Sequence, residues 1–315
     1  MRDCKVTIVV RAYNVEQTIR QALDSILAQR TVYPYEIILG ENCSSDGTLT
    51  ICREYADKYE NITLLAHEKN LGGVGNWIRC VKQGTGKYIM ICDGDDYWHN
   101  PEKIQIEVDY MEAHPECVLL HTDINRLNNQ TGKIRQDYYK TNGIVQPEGR
   151  VQYEVFTGKV SIANVTSCYR RTVFEQHVPT DKFLELGLLG DDYPTWVILA
   201  AYGDVRYIPI STATYRTGQQ SLTHEVNYDQ IRLRYETEHR QVEWLRSMFP
   251  ALGTSQEQDI YDRRCSHQLL MAAYWGNDYC SARKFAKKDQ MPDWKTMMAH
   301  TWFTFQIARL YLLGK

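Results

Sequence analysis

Three carboxylates fall within four residues at Asp93-Gly94-Asp95-Asp96, directly after the apolar run Tyr88 to Cys92. Acids this close in a partly buried cleft raise one another's charging cost, and a divalent cation relieves it. Mg²⁺ or Mn²⁺ takes oxygen ligands and leaves positions for substrate phosphates, so the segment suits a metal-bound diphosphate. A solvated acidic turn uses the same residue types.

A second polar segment, Gly40-Glu41-Asn42-Cys43-Ser44-Ser45-Asp46-Gly47-Thr48, also follows an apolar run and leads into helical spacing. Its oxygens and backbone N–H groups suit a base, a ribose or a phosphate, and Ser45 to Gly47 equally suit a cap and turn. A third acidic pair, Asp191-Asp192, precedes Pro194 to Ala201, where a helix is expected. Acids ahead of a helix stabilise its positive end and serve as caps.

The elements that must hold these residues alternate short apolar runs with helical periods, the pattern of a parallel sheet covered by crossover helices. Strands are expected at Val6 to Val10, Glu36 to Gly40, Ile62 to Leu65, Tyr88 to Cys92 and Cys117 to Leu120. Asn14 and Gln17 read as a capping box opening a helix with Ile19, Ala22, Leu23, Ile26 and Leu27 on one face. A second helix is expected at Thr48 to Tyr59, and a third, carrying Trp77, Ile78 and Val81, after a Gly-rich turn at Leu71 to Gly75. Pro101 leads a fourth. Residues 125–150 read as a hairpin or mobile loop, and Ser161 to Tyr169 as a strand. In such open α/β sheets ligands bind outside the carboxyl ends of the strands, where Asp93 and Glu41 both fall.

Composition narrows the class. Lys and Arg total 36 against 39 Asp and Glu, so the whole chain offers no electrostatic footprint for nucleic acid, and no nucleic-acid partner is expected. The first strand is not followed by GxGxxG, which argues against a dinucleotide-dependent dehydrogenase, and Gly86-Lys87 lacks the rest of a phosphate-binding loop. Nine scattered cysteines without CxxC spacing read as free thiols of a reducing cytoplasm. No signal-peptide pattern opens the sequence, and no run approaches the ~20 apolar residues of a spanning helix. The apolar end of the chain, Trp302 to Leu313, suits packing on the protein itself, or peripheral contact with the inner face of a membrane.

Together, Thr7 to Asn14, Glu36 to Thr48, Asn70-Leu71-Gly72-Gly73, Asp93 to Asp96 and Gly190 to Trp196 resemble, in order and spacing, the family 2 glycosyltransferases. The resemblance covers about residues 4–220. It implies a GT-A nucleotide-binding fold over residues 1–224, a central mostly parallel sheet flanked by helices, and a helical extension over 225–315. It implies an inverting transfer from a nucleotide-diphosphate-sugar to a carbohydrate or lipid-linked acceptor in surface polysaccharide or glycoconjugate synthesis. Ala12, Tyr13 and Glu41 would line the nucleotide pocket, with Asn42 near the base and Gly94 beside the donor. Asp93 would face ribose and metal, Asp95 would ligate Mn²⁺ or Mg²⁺, and Asp192 would be the catalytic base, with Asp191 as its alternate.

The family pattern usually has an acid where this chain has Asn42, and Pro or Ser where it has Arg11. Arg216 or His224, in segments resembling the end of the family's catalytic domain, would offset leaving-group charge, or else serve as a surface residue and cap. The alternative is an inactive GT-A scaffold acting as a carbohydrate-binding or assembly subunit.

Overall fold

A computed structural model describes residues 5–217 and 228–253. The chain divides into two compact units, Met1–Gln219 and Gln220–Lys315. The expected boundary near residue 225, the segment with His224 and the apolar run 302–313 lie outside the described residues.

In the first unit the chain runs β1 (Val6–Ala12), α1 (Ile19–Leu27), β2 (Tyr35–Glu41), α2 (Thr48–Lys58), β3 (Ile62–Ala66), α3 (Gly72–Gln83) and β4 (Tyr88–Ile91). It continues through β5 (Tyr97–Trp98), α4 (Lys103–Ala113), β6 (Cys117–Asn128), β7 (Ile134–Arg135), α5 (Tyr138–Thr141) and α6 (Gln152–Phe156). Last come β8 (Cys168–Arg170), α7 (Arg171–His177), α8 (Thr180–Glu185), α9 (Asp192–Tyr202) and β9 (Asp204–Thr217). In the second unit the described residues form α10 (Tyr228–Met248) and a 3-10 turn at Pro250–Leu252. Among the described residues no helix is long and apolar enough to cross a membrane.

One sheet has the order β3-β2-β1-β4-β8-β6-β9-β5, with β7 paired to β6. The β3-β2-β1-β4 half is parallel, as is the long β6–β9 pair; β8 runs antiparallel between them. Val6, Ile8, Val9 and Val10 of β1 are fully buried, because strands covered on both faces read as unbroken apolar runs. The α1 helix lies on this sheet through Ile19, Ala22, Leu23 and Ile26, all solvent-free. Truncating Leu23 to Ala would cost about 2–5 kcal/mol. On β2, Gly40 admits α3 closely: the Asn76 amide donates to the Gly40 carbonyl at 2.8 Å, and a Cβ there would lie 2.1 Å from Asn76 Oδ1.

Several expectations are corrected. Asn14 does not cap α1; its backbone is left-handed (φ 52°) and its Oδ1 accepts the Ser45 N–H at 2.9 Å. The helix therefore begins later, at Ile19. The Gly-rich segment is not a turn ahead of α3 but its first turn, with Gly72 at φ 73°, a value that an L side chain resists. Pro101 precedes α4 by two positions. Ser161 to Tyr169 is not a strand throughout, because Thr166 and Ser167 hydroxyls donate to the Ala163 and Asn164 carbonyls, each at 2.7 Å, and close a 3-10 turn. Residues 125–150 hold the end of β6, the β6–β7 hairpin and α5. β9, which the sequence pattern left unassigned, forms the longest pairing in the sheet.

Candidate active site

Parallel pairing of β1 with β4 sets Val9 beside Ile91, so the residues just beyond, Arg11 and Asp93, leave the sheet side by side. Arg11 grips Asp93 with two prongs, Nε to Oδ1 at 2.5 Å and Nη2 to Oδ2 at 2.7 Å. Its third nitrogen, Nη1, donates to Asp191 at the N-terminus of α9. The planar guanidinium fork suits a bidentate carboxylate in a way that a lysine cannot. Burial opposes the Arg11 charge, but Asp191 and Asp93 outweigh it and hold the guanidinium protonated. Burial also drives the Asp191 carboxyl up to about 6, with Arg11 pulling it back and Asp192 and Asp93 adding to the rise.

Asp95 and Asp96 follow in the turn after β4. Burial pushes both carboxyls up, and Asp93 adds to the effect on Asp95 while Asp95 adds to that on Asp96. Asp96 is 3% exposed and accepts the Arg216 N–H of β9 at 2.8 Å. Gly94 turns the chain rather than facing outward: its N–H donates to Arg11 O, and its carbonyl accepts the Thr18 hydroxyl, both at 2.8 Å. The Arg216 side chain donates to Gln21 and Asn129 and lies 5.2 Å from the Tyr97 ring.

Of these three acids, Asp93 is paired with Arg11 and Asp96 with the Arg216 N–H of β9, which leaves Asp95 as the carboxylate with no hydrogen bond to another residue among the described residues. No group of three or more His, Cys, Asp or Glu placed to hold a metal occurs among them. These residues fit a cation that arrives with phosphate oxygens, since Mg²⁺ typically uses one or two carboxylates plus substrate. Asp95 would hold it, with Asp93 its neighbour.

At the carboxyl end of β1, Ala12 is buried and its carbonyl accepts the Asn42 N–H at 2.9 Å, while Tyr13 is 48% exposed. Glu41 is buried; Oε1 accepts the Ser44 N–H at 2.8 Å and Oε2 has no partner. Asn42 spends its amide on the neighbouring loop: Nδ2 donates to Asn70 Oδ1 and the Gly72 carbonyl, and Oδ1 accepts the Leu71 N–H. That side chain holds the α3 entrance and has no donor left for a base.

Asp192 makes no hydrogen bond to Arg11, although its charge acts on both Arg11 and Asp191. Its Oδ1 accepts the Tyr193 N–H at 2.8 Å, and it lines a cleft of about 280 Å³ with Ser161, Ile162, Tyr193 and Trp196. The two adjacent acids therefore face different surroundings, Asp191 the Arg11 guanidinium and Asp192 a cleft with aromatic walls. The described cysteines are free thiols, and Cys43 is the exposed one among them.

The residue missed by the sequence pattern is Arg11, visible there only as a departure from the expected Pro or Ser. Its signal was a cation one residue before the end of a buried strand.

The family model described as Glycosyl transferase family 2 matches residues 7–178. An uncharacterized protein of Mycobacterium tuberculosis is 27% identical over 227 residues, 71% of this chain and 62% of the relative, so the chain spans about three fifths of that protein's length. Among solved structures, Staphylococcus aureus TarS 1–349 with UDP-GlcNAc is similar at a TM-score of 0.54 and 16% identity, over 99% of this chain and 92% of that one. The mannosyltransferase PcManGT of Pyrobaculum calidifontis, with GDP-Man and Mn²⁺, is similar at 0.58 and 16%, over 98% and 80%. This likeness is one of fold, and the architecture is the expected GT-A type.

Proposed function

The chain belongs to glycosyl transferase family 2, and we propose that it transfers a sugar from a nucleoside-diphosphate sugar to an acceptor hydroxyl, inverting the anomeric carbon. The observation that carries this reading is the gathering of Asp93, Asp95 and Asp191 around one end of the sheet, with Asp192 one residue further on facing a cleft.

A divalent cation bound with the donor supplies charge neutralisation to the departing diphosphate. Arg11 holds Asp93 in place through its two hydrogen bonds. Asp95 presents an oxygen toward the diphosphate, and Asp192 accepts the acceptor hydroxyl's proton as that oxygen attacks from the opposite face. The Tyr193 and Trp196 walls favour a sugar ring in the cleft and exclude water from it. Similar folds were solved with a uridine and with a guanosine sugar nucleotide, so the donor class, not its base, is what the likeness supports. The acceptor is a carbohydrate or lipid-linked sugar of surface polysaccharide or glycoconjugate synthesis.

The test is release of nucleoside diphosphate from a panel of UDP-, GDP-, dTDP- and CDP-sugars with and without Mn²⁺, in wild type, Asp95→Ala and Asp192→Asn. Metal-dependent turnover of one donor, lost in both variants, is expected. Tight donor binding without any turnover would point instead to a non-catalytic carbohydrate-binding scaffold.

A further inference from the structure

The β6–β7 hairpin sets two arginines directly opposite each other: Arg126 and Arg135 are register partners in an antiparallel pair. Side chains at such positions share a face with Cβ atoms about 5 Å apart, and like charges there are destabilising. Neither arginine has a carboxylate within ion-pair distance among the described residues, and neither guanidinium has a hydrogen-bond acceptor there; the Arg126 Nε is out of contact with solvent as well. A buried donor left unpaired costs free energy that a fold seldom tolerates without compensation.

The Arg126 head is nevertheless held firmly. It lies 4.4 Å from the Tyr138 ring centroid and 5.8 Å from that of Tyr215, its register partner on β9. Tyr138 is fixed in turn by the buried Asp123 carboxylate, which accepts the N–H groups of Tyr139 at 2.9 Å and Lys140 at 3.0 Å. Tyr215 connects this pair to the donor acids, because the next residue on β9, Arg216, donates its N–H to Asp96 at 2.8 Å. Two aromatic faces thus position a cation whose N–H groups the protein leaves unused, beside a second cation.

We propose that Arg126 and Arg135 form a binding site for a phosphate group, next to the donor site and distinct from Asp95. Two N–H forks on one face match the oxygens of a phosphate, and an anion between them removes the repulsion that the pairing imposes. The phosphate belongs to the acceptor or to the donor's diphosphate; only that second choice rests on the function proposed above.

The experiment uses the full-length chain and two probes. Glycerol phosphate is titrated calorimetrically in the presence of saturating nucleoside diphosphate and Mn²⁺, and nucleoside diphosphate is titrated separately. Arg126→Gln and Arg135→Gln are each expected to weaken glycerol phosphate by about tenfold, the loss of one charge-assisted hydrogen bond. Unchanged nucleoside diphosphate affinity in these variants, with glycerol phosphate weakened, assigns the site to the acceptor; weakened nucleoside diphosphate, with no glycerol phosphate bound while it saturates the protein, assigns it to the donor. Because Arg135 is exposed, its replacement leaves the Tyr138–Arg126–Tyr215 stack intact and the fold testable. Arg135→Glu gives Arg126 an ion-pair partner, so it should melt at or above wild type and bind no glycerol phosphate. Wild-type protein that binds neither probe through these arginines overturns the proposal. Failure of nucleoside diphosphate to bind anywhere, with glycerol phosphate still bound, sinks the donor-site reading instead.

Discussion

Arg11 and Asp191 lie 180 residues apart in the chain and share a hydrogen bond, while the same guanidinium holds Asp93 with two more. One cation on β1 therefore sets the position of α9 against the turn after β4. Removing it leaves the buried Asp191 and the partly exposed Asp93 carboxylates without their counter-charge.

Arg11→Gln is expected to destabilise the protein by about 2–4 kcal/mol in urea unfolding, the cost of breaking a buried pair on one side. Arg11→Gln combined with Asp191→Asn should recover part of that loss. A coupling of ~1 kcal/mol or more in the double-mutant cycle is expected; strictly additive losses would show that the bridge contributes no shared energy.

The pH dependence follows from the acids that burial pushes up, Asp95, Asp96 and Asp191. A carboxyl whose folded pKa exceeds its unfolded value adds stability fully present below that unfolded value and lost as pH rises through the folded one. For Asp191 the window runs from the ordinary value of 3.8 to about 6. Asp95→Asn should therefore raise the melting temperature of the ligand-free protein by about 2 °C or more at pH 7.5 and by less at pH 4.5. An equal gain at both pH values would contradict the direction of the Asp95 shift.

Asn42 is expected to act on the loop and not on base choice. In Asn42→Asp the Nδ2 donor is lost and a carboxylate meets Asn70 Oδ1, at a cost of about 1–3 kcal/mol. Affinities for UDP, GDP, dTDP and CDP should fall together in a calorimetric panel. A selective change for one nucleotide would return Asn42 to the role of base reader.

Asp191 and Asp192 should separate kinetically. Asp192→Asn is expected to lower kcat about 10²- to 10⁴-fold, the usual worth of a general base, with donor affinity nearly unchanged. Asp191→Asn should act through Arg11 and Asp93, shifting the donor KM and the melting temperature together. The reverse pattern would exchange the two assignments.

The parallel half of the sheet was legible from the sequence to within a residue or two, because Val6–Ala12, Tyr35–Glu41 and Tyr88–Ile91 are largely buried and each holds a compact apolar stretch. The acids at their carboxyl ends were legible for the same reason: strand ends in such a sheet are where polar segments begin. β9 was not, since its residues alternate irregularly between buried and exposed and Pro209 interrupts the pattern. Nor were the roles of Arg11 and Asn42, whose partners lie 82 and 28 residues away. Periodicity reports a residue's own face of an element, and these two side chains are defined by what a crossover brings to them.

The pairing of β6 with β9 sets an order on the birth of the molecule. β6 emerges from the ribosome at Cys117–Asn128, but its long parallel partner is complete only at Thr217. Until then the edge that β9 will cover stays unpaired, while β7 and β8 make short contacts along the opposite edge. Such an edge is a template for pairing with another chain. A polypeptide released early, anywhere between β6 and β9, would carry that open edge with nothing to close it, and aggregation of truncated products is the outcome that the topology dictates.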